Sequence, residues 1–504
     1  MSKKNANLEK LATLSRRAVT LEGISQLLSW DQETYMPESA SPARAEQRKL
    51  LAELSHAIKT GPDFQKALEH LCDIKTGKLK TNGLSLVDAA EVRIYARDFA
   101  REKKLPSSFV QEFTQLCSES IVVWQKAKTK NDFRLFRPNL EKLVEMVRKK
   151  ADLIGYKEHP YNALIEEYEP GMTVTIVDGV FSEIRQAVQK LLDKRKATKV
   201  KEIEIEATPD QQLEVLHDVL NLIGFDFGRG RLDLSAHPFS SSYHPTDSRI
   251  TARKGSDSMI VQILTTLHEA GHSFYEMGLS VKDYGTPLGQ HISLGIHESQ
   301  SRFWETRIGR SQAFWKLYLP RLQKRFKKDL GKVSLDDFMK QLNHVQPSLI
   351  RTDADEVTYP LHVILRYELE KELMTGKLKV KDLPERWKEA MKSLLGVTPK
   401  SDREGCLQDI HWSMGAFGYF PTYSLGNVYA AQMFESFSKK HPDWEKRIEK
   451  GDFGFIRDWL SDNVWQHGRR YDGTELIKKI SGKALTAKPF IDYISKKYGA
   501  RGVN

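Results

Sequence analysis

Apolar residues return every three or four positions along most of this chain, and that spacing constrains the fold more than any other feature. In SESIVVWQKAKTKNDFRLFRPNLEKLVEMVRKKADLIGY, from Ser118 to Tyr156, the pattern is easy to follow, and many other segments repeat it. A period of 3.6 places such residues on one helical face, so a mainly α fold is expected. One region breaks the pattern. EIEIEA (Glu202 to Ala207) alternates as a half-exposed strand does. Arg231 to Ser242 and Asp247 to Lys254 are short, turn-bounded and rich in residues suited to extended chain. A small β-sheet is therefore expected just before residue 256, where its free edge could hold an extended peptide in line.

Composition bounds the function classes. The chain has 504 residues, 40% apolar and 29% charged, which describes a soluble globular protein. A formal net charge of +11 could favour anionic partners. The Lys and Arg residues are scattered, however. Their densest run, KLLDKRKATKVK (Lys190 to Lys201), passes straight into EIEIEA. It reads as a solvated helix end and loop, so no nucleic-acid partner is expected. No stretch approaches the ~20 apolar residues of a membrane span, and no membrane partner is expected either. Cys72, Cys117 and Cys406 stand far apart without CxxC pairing, and the first residues lack the apolar core of a signal peptide. A cytoplasmic protein is the simplest expectation.

From Ser258 the chain reads SMIVQILTTLHEAGHSFYEM. Ile260, Ile263, Leu264, Leu267, Gly271, Phe274 and Tyr275 form one helical face, and Ser256 or Asp257 can cap its start. On this helix His268 and His272 lie one turn apart, a rise of roughly 6 Å, so both imidazoles project from the same side. Two nitrogens so placed can close on one tetrahedral zinc ion. Glu269 points elsewhere, which suits a base acting on the metal's water. Gly271 beside His272 equally fits close helix packing.

Such a site needs a third protein ligand and an open fourth position. Tyr275 and Gly278 exclude the HExxHxxGxxH class. Glu276 sits one turn after His272 on the same helix, too constrained to complete a tetrahedron easily. HISLGIHESQSRFWETRIG (His291 to Gly309) reads as a second helix with Ile292, Ile296, Ser299 and Phe303 on one stripe. Spacing alone leaves Glu298, His297 and His291 open as the third ligand.

HEAGH followed by HESQSR resembles the HExxH and HES[QE]SR motifs of the M32 metallocarboxypeptidases, the thermostable carboxypeptidase Taq family. LSWDQETYMPESASPARAEQ (Leu28 to Gln47) resembles that family's N-terminal signature, with Ser39 where glycine is usual. YNALIEEYEPGMT (Tyr161 to Thr173) resembles another, with Asn162 at a usual aspartate. HPF (His237 to Phe239), DSRIT (Asp247 to Thr251), IRTDAD (Ile350 to Asp355) and GCLQDIHW (Gly405 to Trp412) match four more, in the family's order. The likeness spans essentially the whole chain.

The resemblance implies one helical catalytic unit over residues 1–504, with a deep groove and a small sheet beside the HExxH helix, distantly like neurolysin and the angiotensin-converting enzymes. Residues 1–200 would form a helical groove wall and 201–255 the sheet region. Residues 256–504 would carry the metal site and the substrate-binding helices. It implies a zinc or cobalt carboxypeptidase acting on peptides with a free C-terminus, as a homodimer, with Glu298 as the third ligand beside His268 and His272. Glu269 would be the general base. His411 and Tyr423 are then candidates for steadying the oxyanion. Their plainer uses are a core histidine paired with Asp409 and a buried aromatic. A bidentate Arg suits the substrate carboxylate. Arg351 is favoured for it and Arg249 kept as a second contact, against internal pairing with Asp353 or Asp355 and with Asp247. His237 would touch the substrate backbone or shape the turn before Pro238. Trp30 to Glu33 (WDQE) reads as packing in the groove wall. His244, His291, His297, His344 and His362 receive no role. A zinc endopeptidase of the same HExxH class is the alternative activity.

Overall fold

The computed structural model of the protein describes residues 5–194, 200, 202–254 and 258–499. Helices dominate it, as the apolar periodicity requires. The run from Ser118 to Tyr156 is divided by chemistry visible in its sequence. Asn131 adopts the left-handed conformation that closes the helix Ser107–Lys130. Asp132 then caps the next helix, Phe133–Ile154, accepting from the Arg134 backbone N–H.

Apolar side chains gather in two clusters. The larger core runs from Trp124 to Tyr498 and takes in the helices that carry His268 and Glu298. The smaller one joins the first helix, Ala6–Thr34, to the helices Pro62–Leu71 and Leu86–Lys103 through Leu8, Leu11, Phe64 and Phe99. The other end of that first helix lies along the sheet, where Trp30 and Glu33 line the groove. No described helix is long and apolar enough to cross a membrane.

The small sheet lies where the sequence puts it, but its strands differ from expectation. Arg231 to Ser242 is two strands, β1 (Gly230–Ser235) and β2 (Phe239–His244), broken around Pro238, which has no N–H for a ladder. With β3 (Asp247–Arg253) they form a sheet of order β1-β3-β2, β1 parallel and β2 antiparallel to β3. Glu202 to Ala207 is not a strand. Its backbone N–H groups go to side chains instead, Ile203 to Gln341 at 2.8 Å and Glu206 to Asp329 at 3.1 Å. Alternation in this segment therefore reflects a strap with one buried residue, Ile203, and not a ladder. The helix Val174–Lys194 ends inside the basic run, and residues 195–199 and 201 lie outside the described residues.

The histidine helix spans Met259–Gly278, with Ser258 at the N-cap position and no side-chain cap bond. Residues 256 and 257, the expected caps, lie outside the described residues. The expected second helix starts later than His291. Ser293 caps Leu294–Arg302 by accepting from the Ile296 N–H, and the chain then continues as a π-helical segment, Phe303–Gly309. Such segments are rare and cluster at functional sites.

Candidate active site

Two glycines let three helices meet closely enough to share one point. A Cβ on Gly271 would lie 2.5 Å from the Gln300 carbonyl oxygen, so the histidine helix touches the backbone of Leu294–Arg302. From the opposite side comes the helix Phe420–Lys440, where a Cβ on Gly426 would meet Glu298 Cγ at 2.5 Å. Glu298 is thereby clamped between neighbours and directed at the histidines.

The resulting donor set has metal-sized spacing. Glu298 Oε2 lies 3.7 Å from His268 Nε2 and 3.5 Å from His272 Nε2. Donors around a tetrahedral ion with bonds of about 2.0–2.1 Å sit roughly 3.4 Å apart, so these three atoms fit zinc or cobalt. The far side of each donor is tied down. His268 Nδ1 donates to Glu305 Oε2 at 2.8 Å, and His272 Nδ1 lies 2.5 Å from His297 Nδ1. Arg302 donates to Glu298 Oε1 at 2.7 Å and to Glu305 Oε2 at 3.0 Å. With both Nδ1 atoms engaged, each Nε2 is left facing the shared point.

A second His and Glu trio lies alongside, formed by Glu276, His291 and His297. Here Glu276 Oε1 is 2.8 Å from His291 Nδ1 and 2.9 Å from His297 Nε2. Those are hydrogen-bond lengths, shorter than a tetrahedral edge. This trio is linked by hydrogen bonds to His272, while the wider spacing of Glu298 from His268 and His272 suits a tetrahedral ion better.

Electrostatics follow from burial. Desolvation works against the charge on Glu298, but Arg302, His268 and His272 outweigh it and hold its carboxyl well below the usual range. Glu269 has no such cation. Burial pushes it up to about 7, with His268 and a hydrogen bond from Ser240 on β2 offsetting part of the rise. A carboxylate so poised suits proton transfer near neutrality.

His411 and Tyr423 come together, with His411 Nε2 3.0 Å from the Tyr423 hydroxyl. The field of Glu298 reaches the hydroxyls of both Tyr423 and Tyr419. Burial lowers His411 to about 3, against the nearby Asp409 carboxylate and helped by Arg351 and Arg366, so its imidazole is neutral in the working range. Asp409 makes its hydrogen bonds elsewhere. That carboxylate binds Arg351 through two bonds of 3.0 and 2.9 Å, and Arg366 at 2.7 Å. Arg351, 7% exposed, also donates to the Tyr359 hydroxyl at 3.0 Å. Its internal partner is thus Asp409, 58 residues away, and not the nearby Asp353 or Asp355. Arg249 does pair with its neighbour, through bonds of 2.9 and 3.0 Å to Asp247, and lies over the Trp30 ring.

A groove of about 830 Å³ runs beside the cluster. Its walls include the first helix, β2 at the sheet edge, and the loop before the Glu298 helix. His237 is exposed on this groove. His291 and His297, given no role from sequence, also line it. Arg302 and Glu305 were legible in principle, since they fall four and seven residues after Glu298, on or near its face. The partnership of Arg351 with Asp409 joins distant segments, and no local pattern signals it.

Known proteins bear directly on this arrangement. The sequence profile of the carboxypeptidase Taq (M32) metallopeptidases matches residues 10–498. Carboxypeptidase 1 of Bacillus subtilis is 37% identical over 94% of each chain. Thermostable carboxypeptidase 1 of Thermus thermophilus is 38% identical over 98% of this chain and 99% of its own. Among solved structures, the M32 carboxypeptidase of Deinococcus radiodurans superposes with a TM-score of 0.93 at 38% identity, covering 98% of this chain and 99% of that one.

Proposed function

The chain belongs to the carboxypeptidase Taq (M32) metallopeptidase family, and on that premise we propose how its own residues carry out the reaction. It is a metallocarboxypeptidase, an enzyme that removes residues from the C-termini of peptides. An endopeptidase is not favoured, because the relatives named above are carboxypeptidases.

His268, His272 and Glu298 would hold the divalent ion, zinc or cobalt, which accept the same donors. When bound, it supplies Lewis acidity toward the scissile carbonyl and acidifies water. Glu269 accepts the proton of the attacking water and delivers it to the leaving amine. The neutral His411 and the Tyr423 hydroxyl donate hydrogen bonds to the oxyanion that develops. Glu305 and His297 keep the two ligand imidazoles in their tautomers. Arg351, prepositioned by Asp409, receives the substrate carboxylate, with Arg249 as a second contact and His237 touching the backbone in the groove. The observation that carries this reading is the convergence of three tied-down donors at 3.5 and 3.7 Å.

Mass spectrometry of a peptide digest tests it. Metal-loaded wild type should shorten a free-acid peptide stepwise from its C-terminus and leave the amidated peptide intact. Glu269→Gln should bind metal equally and cleave neither. Cleavage of the amidated peptide would remove the carboxylate-recognition role. An active Glu269→Gln enzyme would remove the base. Two further features complete the proposal. Free thiols at Cys72, Cys117 and Cys406 support a reducing, cytoplasmic setting. The family likeness supports a homodimer, which light scattering would check.

A further inference from the structure

A larger cavity, of about 1360 Å³, shares no lining residue with the groove. The π-helical segment Phe303–Gly309 contributes to it, together with the helices Leu335–Leu342 and Lys488–Tyr498. Arg307 lines this cavity while only 3% exposed, and its Nε and Nη1 have no hydrogen-bond partner. Its guanidinium carbon lies over the Tyr493 ring, 3.4 Å from the ring centroid. Arg310 donates from Nη1 to the Leu342 carbonyl at 2.6 Å, but its Nε is likewise buried and unpartnered.

Charge does not balance there. Lys497 donates to Glu356 Oε2 at 3.1 Å, and the Tyr493 and Tyr498 hydroxyls bind the same oxygen at 3.2 and 2.6 Å. Arg307, Arg310 and Lys497 thus act on the buried carboxylate of Glu356, and Glu305, already bound by His268 and Arg302, also acts on Arg310, so buried cations outnumber buried carboxylates. On the exposed rim, Lys340 lies 3.4 Å from Asp336 and 3.9 Å from Asp337 and offsets one of those two carboxylates. A buried guanidinium without an acceptor costs several kcal/mol, and oxygen-rich anions are its natural complement.

We propose that this cavity binds a small dianion, a phosphate monoester or a dicarboxylate, seated against Arg307 and Arg310. The Tyr493 ring holds the Arg307 guanidinium in place beside the cavity. The ligand need not be the substrate, since this cavity shares no lining residue with the groove. The π-helical segment also carries Glu305 to His268, so both sites share one structural element.

Calorimetric titration of the full-length, metal-loaded protein with inorganic phosphate, and separately with succinate, tests this at fixed ionic strength. Saturable binding of either anion is expected. Affinity should fall at least tenfold in Arg307→Leu and in Arg310→Gln, with peptide hydrolysis by Arg307→Leu unchanged. Arg307→Leu should also melt no lower than wild type without anion, because it deletes an uncompensated buried charge. If that variant does not fold, Arg310→Gln still reports on the site. Binding that survives both substitutions and is displaced by a product peptide would place the anion in the groove and overturn the proposal. Absence of saturable binding by both anions would do the same. Preference for phosphate or for succinate would identify the ligand class.

Discussion

Replacing Gly271 by Ala tests whether the metal site depends on the closeness of two helices. The added Cβ would stand 2.5 Å from the Gln300 oxygen, 2.7 Å from Ser301 Cα and 2.9 Å from the Gln300 carbonyl carbon. All three are backbone atoms, so no rotamer change relieves the contact. Ordinary contact begins near 3.4 Å, and the helices must part by about 0.9 Å (3.4 − 2.5) at this point. Gln300 and Ser301 follow Glu298 closely, and Gly271 adjoins His272. The parting is therefore transmitted to the 3.5 Å separation of Glu298 Oε2 from His272 Nε2 and opens it toward about 4.4 Å. Metal sites tolerate roughly 0.2 Å, so affinity should fall by at least 10- to 100-fold. Overpacking itself costs about 1–3 kcal/mol, and the helix preference of Ala over Gly returns about 1 kcal/mol. Competition with a chromophoric chelator measures the first effect, and melting of the metal-free protein the second. Gly179→Ala is the control, because that exposed helical glycine has nothing within 4 Å of its added Cβ. It should gain about 0.5–1 kcal/mol. Gly271→Ala binding metal within twofold of wild type would refute the reasoning.

Two further outcomes follow from buried charges. Asp409→Asn leaves Arg351 and Arg366 without their shared carboxylate, at side-chain exposures of 8% and 0%. Stability should drop by about 3–5 kcal/mol in urea unfolding, and a loss under 1 kcal/mol would contradict the pairing. Burial pushes the Glu370 carboxyl up to about 7, even though Tyr161, Gly418 and Trp412 donate to it. Its folded pKa exceeds the unfolded value of 4.5, so the folded state holds the proton more tightly. That stabilisation is complete below about pH 4.5 and is lost as pH rises through about 7, at most roughly 3 kcal/mol. Glu370→Gln should therefore reduce the difference in melting temperature between pH 5 and pH 8, whatever it does to the absolute values. An unchanged difference would mean that Glu370 is ionised throughout.

What could be read from sequence here divides by how far each interaction reaches along the chain. His268, Glu269 and His272 lie within five residues on one helix, so their geometry follows from the 3.6 period alone. Asn131 and Asp132 end one helix and begin another by purely local bonds. Glu298 is different. Spacing could not separate it from His297 and His291, because all three sit on a segment whose distance from the histidine helix is set by tertiary packing. That distance depends on Gly271 and Gly426, and the sequence states the absence of two side chains without stating what approaches them. The same limit explains the errors. Glu202 to Ala207 has the alternation of a strand, but whether its N–H groups find a ladder or the side chains of Gln341 and Asp329 is decided by segments more than a hundred residues away. Arg351 has acidic neighbours at two and four residues and pairs with neither, because Asp355 is occupied by Gln346, Val357 and Thr358 while Asp409 reaches both Arg351 and Arg366. Local pattern thus identifies the groups that can do the chemistry. The long-range contacts decide which of them face each other, and at this site those contacts pass through glycines and buried ion pairs, the features a linear reading weighs least.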